Sequence, residues 1–264
     1  MKNILVPLGV SENAESTLTY AIELAMVTKA LVYVMDSFNP SFHNAHLLNA
    51  KQAVENNNTK RIKELVQQID NKNIDIQIVR YEGDVLSAIT SLDQKVGLDL
   101  ILSGPMPNAD NEAVFLGPTA GKLVKKTDIP VLIVPEGAAF ASPKKALFAF
   151  KRGRVEGDRS LAPIHFFQKS FATEINLLLV KTPEQERKDQ QIDHEIVELS
   201  KTMMSTENGT VYQGVLEHFR TVEPDLLMVF ARKRGFFAKL METDVVLKKD
   251  FYTKTLLLVL KNRK

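Results

Sequence analysis

Short apolar runs alternate with longer segments of helical period along the first half of the chain. The runs predict five buried strands, at about 4–8, 31–35, 74–79, 98–102 and 129–134. Between them, apolar residues recur at the three- and four-residue spacing of a helix, for example through 18–26 and 86–92. Strands that alternate with helices in this way are typical of βαβ units, so the pattern predicts an α/β fold with a parallel sheet and flanking helices.

The second half repeats this order of elements from about residue 144. The matched segments are 2–8 with 144–150, 31–35 with 175–180, 80–86 with 211–216, 98–103 with 224–229, and 131–134 with 256–260. Each match is weak alone, but five in the same order predict two copies of one fold. We therefore expect one domain over 1–138 and a diverged second domain over 144–264, joined by the stretch that ends at Pro143.

Composition and charge exclude several classes of chemistry. The 264 residues are 44% hydrophobic and 25% charged, as in ordinary globular proteins. The absence of cysteine excludes disulfides, thiolate zinc sites, iron-sulfur clusters and cysteine nucleophiles. The net charge of +2 favours neither nucleic acid nor an anionic membrane, although residues 1–140 carry a net charge of −4 and the remainder +6.

No segment of the sequence predicts export or membrane insertion. The apolar run Ile4–Leu8 is too short for the core of a signal peptide, and no later stretch approaches the length of a membrane span. The basic residues of the second half are spread out and lack a recognisable nucleic-acid-binding module. We therefore expect a cytoplasmic protein with neither a membrane nor a nucleic acid as partner.

Catalytic and metal-binding patterns are weak in this sequence. His43 and His46 have the spacing of a ligand pair, but no carboxylate lies close to them in the sequence, so we expect no metal site. The sequence contains neither a Walker A motif nor a G-x-S-x-G elbow. We name no catalytic residue and expect that the protein is not an enzyme.

Two segments of the first half resemble the universal stress protein family in its tandem two-domain form. One is Lys2–Leu8 followed by Ser11–Asn13, and the other runs from Asp99–Gly104 through a loop to Gly117 and then 123–134. The resemblance implies a Rossmann-like or flavodoxin-like sheet of order 3-2-1-4-5 in each copy. It also implies that two such units pair about a two-fold axis through their last strands. A tandem chain can satisfy this pairing internally as a pseudo-dimer, and a homodimer of the whole chain is a further candidate.

The family's nucleotide-binding members carry a glycine, two residues, a second glycine, nine residues, and then glycine followed by Ser or Thr. This spacing fits Gly104, position 107 and Gly117. Ligands of open α/β sheets bind where the strand order reverses, and a helix N-terminus offers amide donors to phosphates. The resemblance therefore implies a nucleotide crevice whose candidate residues are Gly9, Ser11, Gly104, Gly117 and Thr119.

Three positions depart from the family's pattern. Gly9 replaces an aspartate that contacts the nucleotide, Pro107 replaces the second glycine, and Pro118 replaces the Ser or Thr, with Thr119 one place late. At about 1 to 3 kcal/mol for each lost charge-assisted hydrogen bond, ATP is disfavoured as a cofactor. We expect a noncatalytic stress-response or regulatory module with a degraded nucleotide site. The alternatives are a nucleotide-binding sensor with slow ATP hydrolysis and a binder of another small anionic ligand.

The second copy carries basic runs where the first copy carries glycines. Lys151 and Arg152 follow its first strand, and Arg232 follows its fourth. Because the carboxyl ends of parallel strands meet at one edge of a sheet, these side chains are candidates for an anion site made of side chains instead of backbone amides. Solvated loop charges are the alternative interpretation.

Overall fold

The computed structural model of the chain describes residues 1–8, 13–38, 59–105, 114–183, 191–231, 246–247 and 253–262. The strands of the first half are β1 (Asn3–Pro7), β2 (Leu31–Phe38), β3 (Ile76–Glu82), β4 (Leu100–Ser103), β5 (Val114–Leu116) and β6 (Val131–Ile133). The helices between them are α1 (Ala14–Thr28), α2 (59–68), α3 (Val85–Val96) and α4 (Pro118–Lys126). The predicted alternation of strands and helices is therefore present.

The second half follows the same order. Its strands are β7 (Lys145–Phe150), β8 (Glu174–Lys181), β9 (Met203–Glu207), β10 (Leu226–Phe230), β11 (Val246–Leu247) and β12 (Leu256–Leu260). The helices described there are α5 (Ala162–Phe171), α6 (His194–Val197) and α7 (Val211–Val222). We refer below to the halves as the first copy and the second copy.

Ten of the strands form one continuous sheet, in the order β3-β2-β1-β4-β6-β12-β10-β7-β8-β9. Within each copy the strands are parallel, and their order is the expected 3-2-1-4-5. The two copies meet where β6 pairs with β12 in the antiparallel direction, with Leu132 opposite Leu258. The expected pairing through the last strands is thus made within one chain.

The strands are continuously apolar because helices cover both faces of the sheet. In β1, Ile4 and Val6 belong to the hydrophobic cluster on one face, whereas Leu5 belongs to the cluster on the other face. The central strands β4, β6, β7, β10 and β12 are buried along almost their whole length. This burial makes the sheet a rigid support for the loops at its edges.

One aspartate fixes the opening of each copy in the same way. The Oδ2 atom of Asp99 accepts hydrogen bonds from the backbone amides of Lys2 (2.6 Å) and Asn3 (3.1 Å). The Oδ2 atom of Asp225 accepts hydrogen bonds from the amides of Lys144 (2.8 Å) and Lys145 (2.9 Å). Each aspartate directly precedes the fourth strand of its copy, so it ties that strand to the start of the first strand.

One of the five sequence matches, that of 80–86 with 211–216, is wrong. Residues 80–82 are strand, whereas Val211 begins helix α7, so the true counterpart of Gly83 is Gly209. The residue after each of these glycines is an N-cap. The carboxylate of Asp84 accepts from the amides of Leu86 and Ser87, and the hydroxyl of Thr210 accepts from the amide of Gln213. A hydrogen bond from the side chain of Ser87, together with these backbone hydrogen bonds, lowers the pKa of Asp84.

Gly214, which the sequence pattern matched with Gly83, has a different role. It lies within α7, where a Cβ atom would come within 2.7 Å of a methyl group of Val180 on β8. Glycine is therefore required there by the close approach of helix and strand. The motif Tyr-x-Gly occurs in both copies, but it marks a turn in one and a packing contact in the other.

A second correction concerns the segment before Gly117, which the sequence predicts to be loop. Its end forms the short strand β5, which pairs with β11 in the antiparallel direction. Because the partner strand is about 130 residues away and belongs to the other copy, no local pattern could indicate this strand.

The segment between the copies is anchored by an aromatic contact. Phe140 packs edge-on against Tyr20 of α1 and Phe171 of α5, with ring centroids 5.3 and 6.2 Å apart. Burial raises the pKa of Tyr20 above its ordinary value. The linker thus joins one helix of each copy and closes one side of the core.

Candidate ligand crevice

The strand order of the first copy reverses between β1 and β4. Ile4 and Leu5 of β1 lie opposite Leu100 and Ile101 of β4. The carboxyl ends of these strands, at Pro7 and Ser103, therefore flank the place where open α/β sheets bind ligands. Of the candidate residues, Gly104, Gly117 and Thr119 are described. Gly9 and Ser11, like Pro107, lie outside the described residues.

Gly104 lies at the end of β4 against the first turns of α1. A Cβ atom at this position would be 3.2 Å from the Thr17 hydroxyl oxygen and 3.7 Å from Asn13 Cβ. Packing between strand and helix therefore favours glycine here without reference to any ligand.

The first copy buries polar side chains around this edge of the sheet. Asn13, Thr17, Asp36 and Ser103 are each between 5 and 8% exposed. Asp36 Oδ2 accepts a hydrogen bond from the Thr59 hydroxyl at 3.1 Å, and the Ser103 hydroxyl donates to the carbonyl of Gly104 at 3.2 Å. Buried polar groups cost free energy unless they are hydrogen-bonded, and Asp36 and Ser103 each have such a partner. This edge is therefore a polar region of an otherwise apolar sheet.

Sequence reasoning missed Asp36 and Thr17. The signal for Asp36 was a lone carboxylate in the run 31–38, which is otherwise apolar up to that residue. Thr17 gave no signal, because a threonine within a helix is common and its neighbour Gly104 is distant in sequence.

The N-terminus of α4 is the second part of the predicted phosphate cradle. Gly117 is the N-cap residue and provides no side-chain cap, and Pro118 occupies the first turn. The amide of Gly121 donates to the carbonyl of Gly117 at 2.8 Å, so the amides of Thr119 and Ala120 remain as the donors of the first turn. Proline is favoured at the first position of a helix, but it has no N–H group that could bind a phosphate.

The corresponding crevice of the second copy is filled by aromatic side chains. Phe230 stands five residues after Asp225, as Gly104 stands five residues after Asp99. Phe230 packs against Phe148 with ring centroids 5.5 Å apart, and Phe148 lies 5.2 Å from Phe150. All three phenylalanines are at most 4% exposed, so this end of the sheet is apolar core.

Lys151 and Arg152 lie half-buried directly after β7, as the sequence places them. The next residue, Gly153, is covered by Ile192, since a Cβ on Gly153 would lie 2.6 Å from Ile192 Cα. The amide of Asp193 donates to the carbonyl of Gly153 at 2.7 Å, which holds this covering segment in place. Arg232 lies outside the described residues, and a shared anion site of the three basic residues stays a prediction.

Two further features of the described residues concern metal ions and membranes. Among the described residues, no three side chains of His, Asp or Glu are grouped so that they could hold a metal ion. His43 and His46 lie outside those residues. Within the part of the chain that the structure describes, no helix has the length and apolar character needed to span a membrane.

Residues 1–135 match the model of the universal stress protein family. No curated protein sequence matches the chain at a significant level. Several solved structures are similar to it over almost its entire length.

A universal stress protein from Archaeoglobus fulgidus DSM 4304 is 16% identical, with a TM-score of 0.69, and the alignment covers 98% of this chain and 96% of that one. A protein of unknown function from Pseudomonas aeruginosa PAO1 is 18% identical, with a TM-score of 0.60 and coverages of 99% and 93%. The cytoplasmic domain of a prokaryotic cation chloride cotransporter is 11% identical, with a TM-score of 0.50 and coverages of 99% and 95%. At these identities the similarity shows a shared two-copy fold.

Proposed function

The chain belongs to the universal stress protein family, and we propose that it is a noncatalytic regulatory member with a degraded nucleotide site in its first copy. The observation that carries the proposal is the first turn of α4, where Pro118 takes the place of an amide and hydroxyl donor. The packing of Gly104 against Thr17 supports it, because this glycine has a structural role that needs no nucleotide.

A regulatory role is also supported by the kind of protein in which this fold recurs. One of the similar structures is the cytoplasmic domain of a cation chloride cotransporter. The cytoplasmic location and the homodimer expected from the sequence remain predictions, testable by cell fractionation and by the mass of the protein in solution.

Isothermal titration with Mg-ATP tests the degraded site. We expect no binding in the micromolar range by the unmodified chain. The triple variant Gly9→Asp, Pro107→Gly, Pro118→Ser restores the family's carboxylate and two of its hydrogen-bond donors. It should gain at least about a hundredfold in affinity, from three interactions of about 1 to 3 kcal/mol each. Thr202→Ala added to the triple variant is the control, because Thr202 is exposed in the second copy, and it should leave the gain unchanged. Micromolar binding by the unmodified chain would overturn the proposal.

The buried polar groups of the first copy favour one other function, the binding of a different small polar or anionic ligand. Asp36 and Ser103 line the end of the sheet where the second copy has Leu179 and Val229 at the corresponding positions. Native mass spectrometry of the purified protein identifies any retained ligand. Asp36→Leu, which makes the first copy resemble the second, should abolish its retention, whereas Ile78→Leu on the exposed edge strand β3 should not.

A further inference from the structure

Helix α4 of the first copy is contacted at its start by the second copy. Strand β5 ends at Leu116, directly before the N-cap Gly117, and Leu116 lies opposite Val246 of β11. The pairing is backbone to backbone, so it fixes the direction in which the chain enters α4.

The other end of the same helix is contacted by Lys261, which directly follows β12. Because β6 and β12 are antiparallel, the carboxyl end of β12 lies beside the segment that connects α4 to β6. The Nζ atom of Lys261 donates hydrogen bonds to the carbonyls of Leu123 (3.4 Å) and Val124. Carbonyls at a helix C-terminus carry partial negative charge, so a lysine donor there is favourable.

Lys261 is an unusual residue for this position, because it is only 5% exposed. Burial lowers its pKa to about 7, and Asp128 in the connection after α4 opposes that shift. The other charged residues of the neighbouring helix turn are Lys125 and Lys126, which share the sign of Lys261. Burying a lysine amine costs free energy, because the charged form loses its hydration. The contact with α4 must offset part of that cost.

We propose that the second copy positions helix α4 of the first copy by holding both of its ends, with Lys261 as the positioning residue, and so couples itself to the ligand crevice. This inference rests on the proposed function only in taking the α4 N-terminus as part of that crevice. The coupling follows because α4 has only nine residues, so a displacement at Leu123 is carried to the amides of Thr119 and Ala120.

Amide hydrogen exchange of the full chain tests the inference without any ligand. In Lys261→Met, the hydrogen-bonded amides of α4 should exchange at least about tenfold faster than in the unmodified chain, from Gly121, which donates to the carbonyl of Gly117, through the last turn. Lys144→Met is the matched control, because Lys144 donates to the carbonyl of Phe171, the last residue of α5, within a single copy. That variant should accelerate exchange in α5 and leave α4 unchanged.

A pH profile of the unmodified chain separates positioning from simple packing. Opening of the contact returns Lys261 to water, where it binds a proton more strongly, so the closed state gains as pH rises through 7. Between pH 6 and 8, protection of the α4 amides, corrected for intrinsic exchange, should rise about tenfold, whereas in Lys261→Met it should stay level. This measurement remains decisive if the variant fails to fold.

Three results would overturn the inference. They are unchanged exchange of α4 in Lys261→Met, faster exchange confined to its last turn, and pH-independent protection in the unmodified chain. Since none of these measurements involves a nucleotide, their failure would leave the degraded site standing, and micromolar ATP binding would leave the positioning of α4 standing.

Discussion

The two copies share one scaffold and differ at one edge of it. At the amino ends of the strands, Asp99 and Asp225 make the same pair of hydrogen bonds to the start of the first strand. At the carboxyl ends, the first copy places Gly104, whereas the second places Phe230. The comparison teaches that the interactions which hold the fold and those which shape the crevice lie at opposite edges, so the crevice can change while the fold stays.

The helix that covers this edge of the sheet also differs in length between the two copies. In the first copy α1 begins at Ala14 and packs its first turns on Gly104. In the second copy α5 begins at Ala162 and has ten residues instead of fifteen. The buried side chains of Leu161, directly before α5, and of Ile164 belong to the same hydrophobic cluster as Phe148, Phe150 and Phe230.

The largest effect is expected from emptying the crevice of the second copy. Phe230→Ala should lower the free energy of unfolding by about 3–5 kcal/mol, because it leaves a cavity among buried aromatic residues. Urea denaturation followed by circular dichroism measures this change. Phe166→Ala, at a half-buried position on α5, is the control and should cost less. An equal cost would mean that Phe230 is not a core residue.

The shared aspartates should show a smaller effect that is the same in both copies. Asp99→Ala and Asp225→Ala each remove the acceptor of two backbone amides, so each should cost about 1–3 kcal/mol. The same denaturation experiment compares them. If only one substitution were destabilising, the common role of these residues in the scaffold would be refuted.

The contact between the copies should give a pH dependence of stability. Because burial lowers the pKa of Lys261 to about 7, the unfolded chain binds one more proton above that pH. The free energy of unfolding should therefore rise by about 1.4 kcal/mol per pH unit in the window above 7, after subtraction of the profile of Lys261→Met. A difference profile that is level from pH 6 to 9 would show that the amine is not buried in solution.

The N-caps of α3 and α7 should give the smallest effect. Asp84→Ala and Thr210→Ala each remove one cap and should each cost about 1 kcal/mol. The cost of Asp84→Ala should shrink in acid, because protonation removes the charged form of Asp84 in the unmodified chain as pH falls through its lowered pKa. The cost of Thr210→Ala should stay the same. Thermal melts at pH 7 and pH 3 make the comparison, and equal sensitivity to acid would contradict the assignment of these caps.

Local sequence patterns predicted the repeating elements because strands buried on both faces and amphipathic helices each leave a short-range period. Val131–Ile133 and Leu256–Leu260 could be recognised as strands in this way. The partner of β5, the contact of Lys261 with α4 and the packing of Thr17 on Gly104 could not, because each joins residues far apart in sequence.

The error over Gly214 has a related cause. A glycine leaves the same letter in the sequence whether it is required by a turn, as at Gly83 with a φ of +135°, or by a neighbouring strand. Only the position of α7 relative to β8 distinguishes the two cases. The candidate crevice stays a prediction, and the burial of Asp36 at the same edge of the sheet became visible only with the fold.

The junction of β6 and β12 has a consequence for how the molecule can vary. In an assembly of two identical chains, a substitution enters both halves at once, and dilution separates the halves. Here both strands belong to one polypeptide, so their pairing is intramolecular and independent of protein concentration. Each half can also accept substitutions that its partner does not share. A buried lysine such as Lys261 can therefore arise in one copy alone. In the same way, Phe230 can fill the crevice of the second copy while that of the first copy stays polar.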